Sequence, residues 1–362
     1  MNERKENLKN TLLLFVPLVV LMVGSLFGNR KDEGLVTAAQ RGDIVAVQTA
    51  LANGANASAR VDGGWSALTR AIQGGHLEVT RLLLAKSANP NEIADDGATI
   101  LTSAVRGGHV EIVKALLQSG SEVNREDTEG KTALMVAADL GRNSMVEALC
   151  AKGAEVNVKQ KDGWTALMWA VNHSHTETAK LLMEKGAEVN AQSNIGWTAL
   201  MMGIDRSDTT MIQALLNQGA DVNLEDPSGL TALTLATKSS HAEVVKLLIA
   251  KGADVNVRKK SGYTALMTAS LYGNREVVKA LIAAGSNVNA RKSGDAPDKR
   301  TDDWTALIFA AKQGHTSIVR DLLAAKADIH AKTQNDKTAL LLATENGHAE
   351  IVELLKKAGA KE

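Results

Sequence analysis

The sequence has few of the residues that usually cross-link or fill a large domain. Its 362 residues include one cysteine, four prolines, five tryptophans, two tyrosines and three phenylalanines. A single thiol, Cys150, excludes an intramolecular disulfide framework and a CxxC redox or zinc site. The aromatic rings are also too few for an ordinary core in a chain of this length. Smaller side chains must therefore build the interior.

The charge balance excludes a further class of protein. Lysine plus arginine and aspartate plus glutamate both number 41, so the formal net charge is zero. Because nucleic-acid-binding domains usually carry a basic excess, we predict no nucleic-acid partner. A composition of 44% hydrophobic and 23% charged residues is typical of a folded chain.

One long uncharged run lies near the N-terminus, at residues 11–28. At about 1.5 Å per residue, a helix of this length spans about 27 Å, which is close to the hydrocarbon core of a bilayer. We therefore expect a transmembrane signal anchor at 11–28, and a cleaved signal peptide is the alternative. This divides the chain into a charged region at 1–10, the anchor, a linker at 29–33 and a folded domain at 34–362.

Basic residues flank the uncharged run unequally. Arg4, Lys5 and Lys9 precede it, whereas Arg30 and Lys31 follow it. By the positive-inside rule, this excess places the N-terminus in the cytoplasm and the folded domain on the extracytoplasmic side, periplasmic or extracellular. The alternatives are secretion after signal-peptide cleavage and a cytoplasm-facing domain.

The rest of the chain repeats itself. A Thr-Ala-Leu triplet, or a close variant, recurs every 33 residues and then resumes after an eight-residue insertion near 292–303. A degenerate first copy around Leu35 brings the expected number of copies to about ten. A period of this length is typical of a solenoid whose units are stable only when stacked. The triplets begin at Ser66, Thr99, Thr132, Thr165, Thr198, Thr231, Thr264, Thr305 and Thr338.

Each copy carries the signals of two helices, as residues 99–124 show. Thr99 is a good N-cap for a first helix, which the glycines at 107 and 108 end. Ile112, Val113 and Leu116 then form the apolar face of a second helix, and Gly120 is expected to close it in the left-handed conformation. Alanines in the first helices would let neighbouring copies pack closely.

The pattern resembles the ankyrin repeat along about nine tenths of the chain. The resemblance implies an all-α solenoid, elongated and right-handed, of about ten helix-turn-helix repeats joined by short β-hairpin-like turns. Methionines such as Met168, Met201 and Met267 replace the family's histidine after the leucine, and we expect soft packing there in place of hydrogen bonds. The matching segments are Gly163-Trp164-Thr165-Ala166-Leu167, Gly314-His315, Glu243-Val244-Val245, Leu247-Leu248 and Gly252-Ala253-Asp254-Val255-Asn256.

Metal and catalytic sites receive little support. Six histidines share one repeat column, and a spacing of about 10 Å between stacked helices is too long for a shared metal ion, so we predict a structural use. The acidic insertion at 292–303 fits no EF-hand loop, and we predict a flexible charged finger. The chain carries no catalytic motif in its required context. We therefore predict no enzyme activity, no cofactor, no metal ion and no small-molecule substrate.

Aromatic residues occupy another repeat column, directly before the capping threonine or serine. In proteins that resemble this chain, this turn tip and the inner face of the first helix usually bind partners. An exposed tryptophan or tyrosine would anchor an interface well, whereas the alternative is that each ring packs on its neighbours. The predicted partner-binding residues are Trp65, Trp164, Trp197, Tyr263 and Trp304 at the tips, with His173, Asp205, Arg206 and Tyr272 on the inner face.

These observations together predict a non-catalytic interaction scaffold. The repeat domain would be tethered to a membrane and would bind a protein or peptide partner on its concave, turn-tip surface. A purely structural spacer is one alternative. A metal-dependent or enzymatic role, using His173, His175 and the insertion, is another.

Overall fold

The computed structural model describes residues 30–61, 64–94, 96–238, 241–293 and 303–361. The predicted membrane segment at 11–28 and most of the predicted insertion lie outside these residues. Among the residues described, no helix is both long enough and apolar enough to cross a membrane. The chain divides into two compact units, Met1–Gln160 and Lys161–Glu362.

Short helices form the described part of unit 1, and they follow one another in pairs. Helix α1 covers residues 30–41, and the turn after it leads directly into α2. The other helices are α2 (Ile44–Ala52), α3 (Ala67–Gln73), α4 (Leu77–Ala85), α5 (Ile100–Gly107), α6 (Val110–Gln118), α7 (Ala133–Asp139) and α8 (Asn143–Cys150).

Unit 2 continues the same alternation of a first and a second helix. Its helices are α9 (Ala166–Asn172), α10 (Thr176–Glu184), α11 (Ala199–Asp205), α12 (Thr209–Asn217), α13 (Ala232–Lys238), α14 (Ala242–Ala250), α15 (Ala265–Tyr272), α16 (Arg275–Ala283), α17 (Ala306–Gln313), α18 (Thr316–Ala324), α19 (Ala339–Glu345) and α20 (Ala349–Lys357).

The repeated threonine starts the first helices, as the sequence predicted. The hydroxyl of Thr99 accepts a hydrogen bond from the Thr102 amide at 3.0 Å, which satisfies one of the free amides at the start of α5. Gly108 ends this helix at φ +80°, and Gly120 follows α6 at φ +89°. Both glycines hold the left-handed backbone conformation that a side chain would strain.

The helices pack in two rows, which are best seen in unit 2. The first helices α9, α11, α13, α15, α17 and α19 contact one another in that order, and each also contacts the second helix that follows it. Small side chains such as Ala170, Ala236 and Ala310 are fully buried in the first row. Met168, Met201 and Met267 are buried beside them, which confirms the expected methionine packing. Leucines and valines of the second helices complete this core.

The turns between copies contain no extended strands among the residues described. Isolated antiparallel bridges close five of them, for example Gln192 with Thr198 and Lys332 with Thr338. These bridges agree with the short hairpin-like turns that the ankyrin resemblance implied. In each of these five turns, the residue before the capping threonine or serine lies inside the bridge, and we call this position the turn tip.

An asparagine ladder joins neighbouring copies. The side-chain amide of Asn223 donates to the Gly252 carbonyl at 3.0 Å, and its oxygen accepts from the Asp254 amide at 2.8 Å. Asn91, Asn124, Asn190 and Asn289 make the same pair of bonds to the copy that follows each of them. Each asparagine thus satisfies two backbone groups that the turn leaves without a helical partner.

Histidines of the shared column also bind the preceding copy. The Nε2 of His76 lies 3.1 Å from the Gln40 carbonyl, that of His315 lies 3.2 Å from the Leu271 carbonyl, and that of His348 lies 2.9 Å from the Lys312 carbonyl. A carbonyl oxygen only accepts, so Nε2 carries the hydrogen in each case. The predicted structural use is confirmed for these three residues.

Candidate partner-binding face

All aromatic side chains of unit 2 lie in the turns or on the first helices, although two of them, Trp304 and Phe309, are buried. We call this side of the unit the tip face: the turn tips together with the first-helix residues four, seven and eight positions after each capping threonine. None of these rings lies on a second helix. Rings confined to one side of a two-row structure indicate that this side has a different role from the other. They are Trp164, Trp169, Trp197, Tyr263, Tyr272, Trp304 and Phe309.

Trp164 packs on the helix of its own copy. Its ring centre lies 4.7 Å from that of Trp169, with the planes inclined at 50°. Trp169 in turn stacks on His173, at 6.0 Å and nearly parallel. Trp164 and Trp169 are half-buried, and His173 is exposed. These stacked rings leave part of their surface exposed to solvent. The Trp164 side chain packs on its neighbour and does not project alone from the turn.

Trp304 corrects the expectation of an exposed tip. Its side chain is only 7% exposed, because its ring lies 4.9 Å from Phe309 in α17. Tyr263, from the preceding copy, packs against the same phenylalanine at 5.5 Å. Phe309 therefore packs on the Trp304 ring of its own copy and on the Tyr263 ring of the preceding copy, and Tyr263 remains half-buried.

Tip residues of other copies also contact a side chain on the first helix of the same copy, one or two helical turns after its start. In unit 1, the Arg70 guanidinium lies 4.1 Å above the half-buried Trp65 ring. In unit 2, the tip residue Lys337 forms an ion pair with Glu345 at 2.7 Å. A tip aromatic is thus one of several ways to hold the tip against the first helix. Its presence alone does not identify a binding residue.

Three apolar side chains of the tip face have no such partner. Tyr272, at the end of α15, is 54% exposed, and Ile195, beside the half-buried Trp197, is 62% exposed. Within the part of the chain that the structure describes, the rings of Trp197 and Tyr272 have no aromatic or cationic neighbour. Rigid rings held in this way can bury much area and lose few rotamers on binding.

The polar residues predicted with them are also on the surface. Asp205 and Arg206 are exposed at the end of α11, and Arg206 donates to the Asn172 side-chain oxygen at 2.7 Å. Asn172 belongs to the preceding copy, so this bond links two adjacent first helices. The structure brings His173, Asp205 and Arg206 to the same row of helix ends.

Lysines occupy the next helix ends of this face. Lys238, at the end of α13, is exposed, and Lys312, at the end of α17, places its ammonium 5.0 Å from the Trp304 ring centre. Burial, and then the charge of Lys238, lower the pKa of Lys259 in the turn between them. The ammonium groups of Lys238 and Lys259, which belong to adjacent copies, therefore repel each other.

Comparison with known families covers the whole helical part of the chain. The family model described as ankyrin repeats (3 copies) matches residues 35–127, 82–160, 134–226, 200–292 and 293–362. The chain belongs to the ankyrin-repeat family. Ankyrin repeats are in general protein-interaction modules and are typically not enzymes. A comparison with curated proteins gave no match.

Two tip-face residues against which tip tryptophans pack were not identified from the sequence. Trp169 and Phe309 each stand four residues after the capping threonine, one helical turn below the tip. An aromatic residue at that spacing is the signal that could have predicted a packed ring at Trp164 and Trp304. Ile195 gave no signal, because it lies in a turn outside the repeated triplet.

No metal centre is evident in this ankyrin-repeat chain within the described ranges. No group of three or more histidine, cysteine, aspartate or glutamate side chains comes close enough there to hold an ion. His173 and His175 lie near each other, with ring centres 6.3 Å apart.

Proposed function

We propose that this ankyrin-repeat protein is a non-catalytic scaffold that binds a segment of another polypeptide on the tip face of unit 2. The observation that carries the proposal is that Tyr272 is exposed and Trp197 half-exposed on that face, with no aromatic or cationic neighbour among the described residues. A purely structural spacer would need rings only where they pack, as Trp304 does. An exposed Tyr272 and Ile195 have no packing role of that kind.

The tip face is suited to an extended segment. The first helices stand side by side, so their ends offer a repeating series of contacts with the spacing of one copy. Backbone and side-chain bonds such as that from Asn194 to the Lys161 carbonyl, at 2.8 Å, fix successive tips relative to each other. A preformed surface lowers the entropic cost of binding.

Loss of the two unpartnered rings is expected to weaken binding. Peptides selected from a random phage-displayed library on the purified full chain should bind the Trp197→Ala/Tyr272→Ala variant at least tenfold more weakly, since each 1.4 kcal/mol lost at an anchor is about a factor of ten. Fluorescence anisotropy of the labelled peptides measures the change in Kd.

A matched control lies on the second helices. Lys246 and Lys279 are exposed in α14 and α16 and pair with Glu243 and Glu276 of the same helices. The Lys246→Ala/Lys279→Ala variant should change Kd by less than twofold. Equal binding by a folded Trp197→Ala/Tyr272→Ala variant would refute the proposed face.

We also propose that residues 11–28 anchor the chain in a membrane, with the repeats on the extracytoplasmic side. The support is the uncharged run and the excess of basic residues before it. A C-terminal alkaline phosphatase fusion should then be active in cells, and a C-terminal green fluorescent protein fusion exported by the same route should be dark. The reverse pattern would place the repeats in the cytoplasm.

A further inference from the structure

Two lysines on the tip face differ from three of the four other charged residues at the same position, and the fourth, Asp205, has no ion pair among the described residues either. This position is the seventh after the capping threonine. Arg106 pairs there with Asp127 at 3.3 Å, Asp139 with Lys131 at 3.9 Å, and Glu345 with Lys337 at 2.7 Å. Lys238 and Lys312 occupy the same position, yet neither has a carboxylate within ion-pair distance among the described residues.

The surroundings of these lysines are also basic. Lys259 and Lys260 lie in the turn that joins α14 to α15, and Lys259 is close enough to Lys238 for the two charges to repel. The nearby Asp226 carboxylate is already engaged, because it accepts hydrogen bonds from the Ser228 amide and hydroxyl and from the Leu230 amide. The Asp226 charge offsets part of the repulsion at Lys259, and Lys238 and Lys260 leave the cluster with a net positive charge.

An exposed aromatic side chain ends the helix between the two that carry the lysines. Lys238 ends α13, Tyr272 ends α15 and Lys312 lies in the last turn of α17, and these three helices are consecutive in the first row. Stacked helices lie about 10 Å apart, so Lys238 and Lys312 are about 20 Å apart, and α15, with Tyr272 at its end, lies between their helices. An extended chain rises about 3.3 Å per residue, and about six residues cover that distance.

We infer that the tip face across α13, α15 and α17 binds an extended acidic peptide segment. Two carboxylates of the segment, about six residues apart, meet Lys238 and Lys312, and an apolar side chain midway between them packs on Tyr272. This inference rests on the proposed function and names the chemistry of its partner. The part of the face that requires acidic residues in the peptide ends before α11. Asp205 lies on that helix without an ion-pair partner among the described residues, and its negative charge does not favour a carboxylate there.

The spacing of the charges makes the inference testable with synthetic probes. The matched probe is a fluorescein-labelled nine-residue peptide with glutamate at positions 2 and 8, leucine at position 5 and serine or threonine elsewhere. One comparison peptide places the glutamates at positions 4 and 6, and another replaces both glutamates with lysine. Anisotropy titration of the full chain measures Kd at two salt concentrations.

We expect the matched peptide to bind at least tenfold more tightly than either comparison peptide, and more weakly as salt rises. The Lys238→Gln/Lys312→Gln variant should lose at least tenfold in affinity for it. The matched control, Lys246→Gln/Lys279→Gln, removes two exposed lysines from the second helices and should lose less than twofold.

Three results of these titrations would overturn the inference. The first is equal binding of the matched and lysine peptides, and the second is equal loss in the two lysine variants. The third is a single-stranded oligonucleotide that binds more tightly than the matched peptide and depends on the same lysines. If library peptides without acidic residues still need Trp197 and Tyr272, the inference fails while the proposed function stands. If neither kind of peptide needs the tip face, both fail.

Discussion

Substituting alanine for Gly163 should lower the free energy of unfolding by about 2–5 kcal/mol, the sum of a left-handed backbone penalty and an overpacking penalty. Gly163 has φ +84°, a conformation that a residue with a side chain adopts only with strain. A β-carbon there would also lie 2.7 Å from the Asn194 backbone nitrogen and 3.0 Å from the Ser193 carbonyl carbon. Backbone atoms cannot rotate away as a side chain can.

The clash would also disturb the link between two turn tips. The Asn194 amide donates to the Asp162 carbonyl at 2.9 Å, and this bond sets the approach of one tip to the next. Moving Asn194 to make room for a methyl group would lengthen it. The midpoint of urea unfolding, followed by far-UV circular dichroism, measures the loss of stability.

Gly186 separates the two causes. It has nearly the same backbone angle, φ +90°, but no atom lies within 4 Å of the place where its β-carbon would stand. Gly186→Ala should therefore cost only the backbone penalty, about 1–2 kcal/mol. Equal losses for Gly163→Ala and Gly186→Ala would contradict the close approach of the two tips.

Removing the Trp304 ring is expected to cause the second large loss of stability. Trp304→Ala should cost about 3–5 kcal/mol, because it empties a buried space beside Phe309 and Tyr263 that the neighbours fill only in part. Truncation of the half-buried Trp197, whose ring has no aromatic or cationic neighbour in the described structure, should cost about 1 kcal/mol. The same unfolding measurement compares the two variants.

A conservative change tests how Trp304 stabilises the fold. Among the described residues its buried indole nitrogen has no hydrogen-bond acceptor, so packing is the contribution that we expect from the ring. Trp304→Phe keeps most of the ring and removes the unsatisfied donor, and it should cost less than about 1.5 kcal/mol. A loss as large as that of Trp304→Ala would mean that the nitrogen has a partner and that the ring acts through it.

The repeated triplet predicted the helices well because it carries local chemistry. A capping threonine, an apolar face and a glycine after the second helix each act within a few residues, so Thr99, Gly108 and Gly120 have the predicted roles. The asparagine ladder was not predicted. Its bonds join residues about one repeat apart, and a single sequence shows such a column without showing its partners.

The candidate site was only partly predictable. The column of tip aromatics was visible in the sequence, but burial depends on what lies one turn below each ring. Phe309 buries Trp304, whereas Met202, which stands at the same position below Trp197, gives that ring no aromatic neighbour. The exposure of a tip ring depends on the ring and on the residue four positions after the capping threonine. The aromatic column in the sequence shows only the first of these two residues.

The way each tip is held has a consequence for how such a chain can evolve. Trp65 with Arg70, Trp304 with Phe309 and Lys337 with Glu345 are all pairs within one copy. A duplication or deletion of one whole copy therefore carries both members of its pair. Recombination at the copy boundary can lengthen, shorten or reorder the array, and selection can then change the recognised partner one copy at a time.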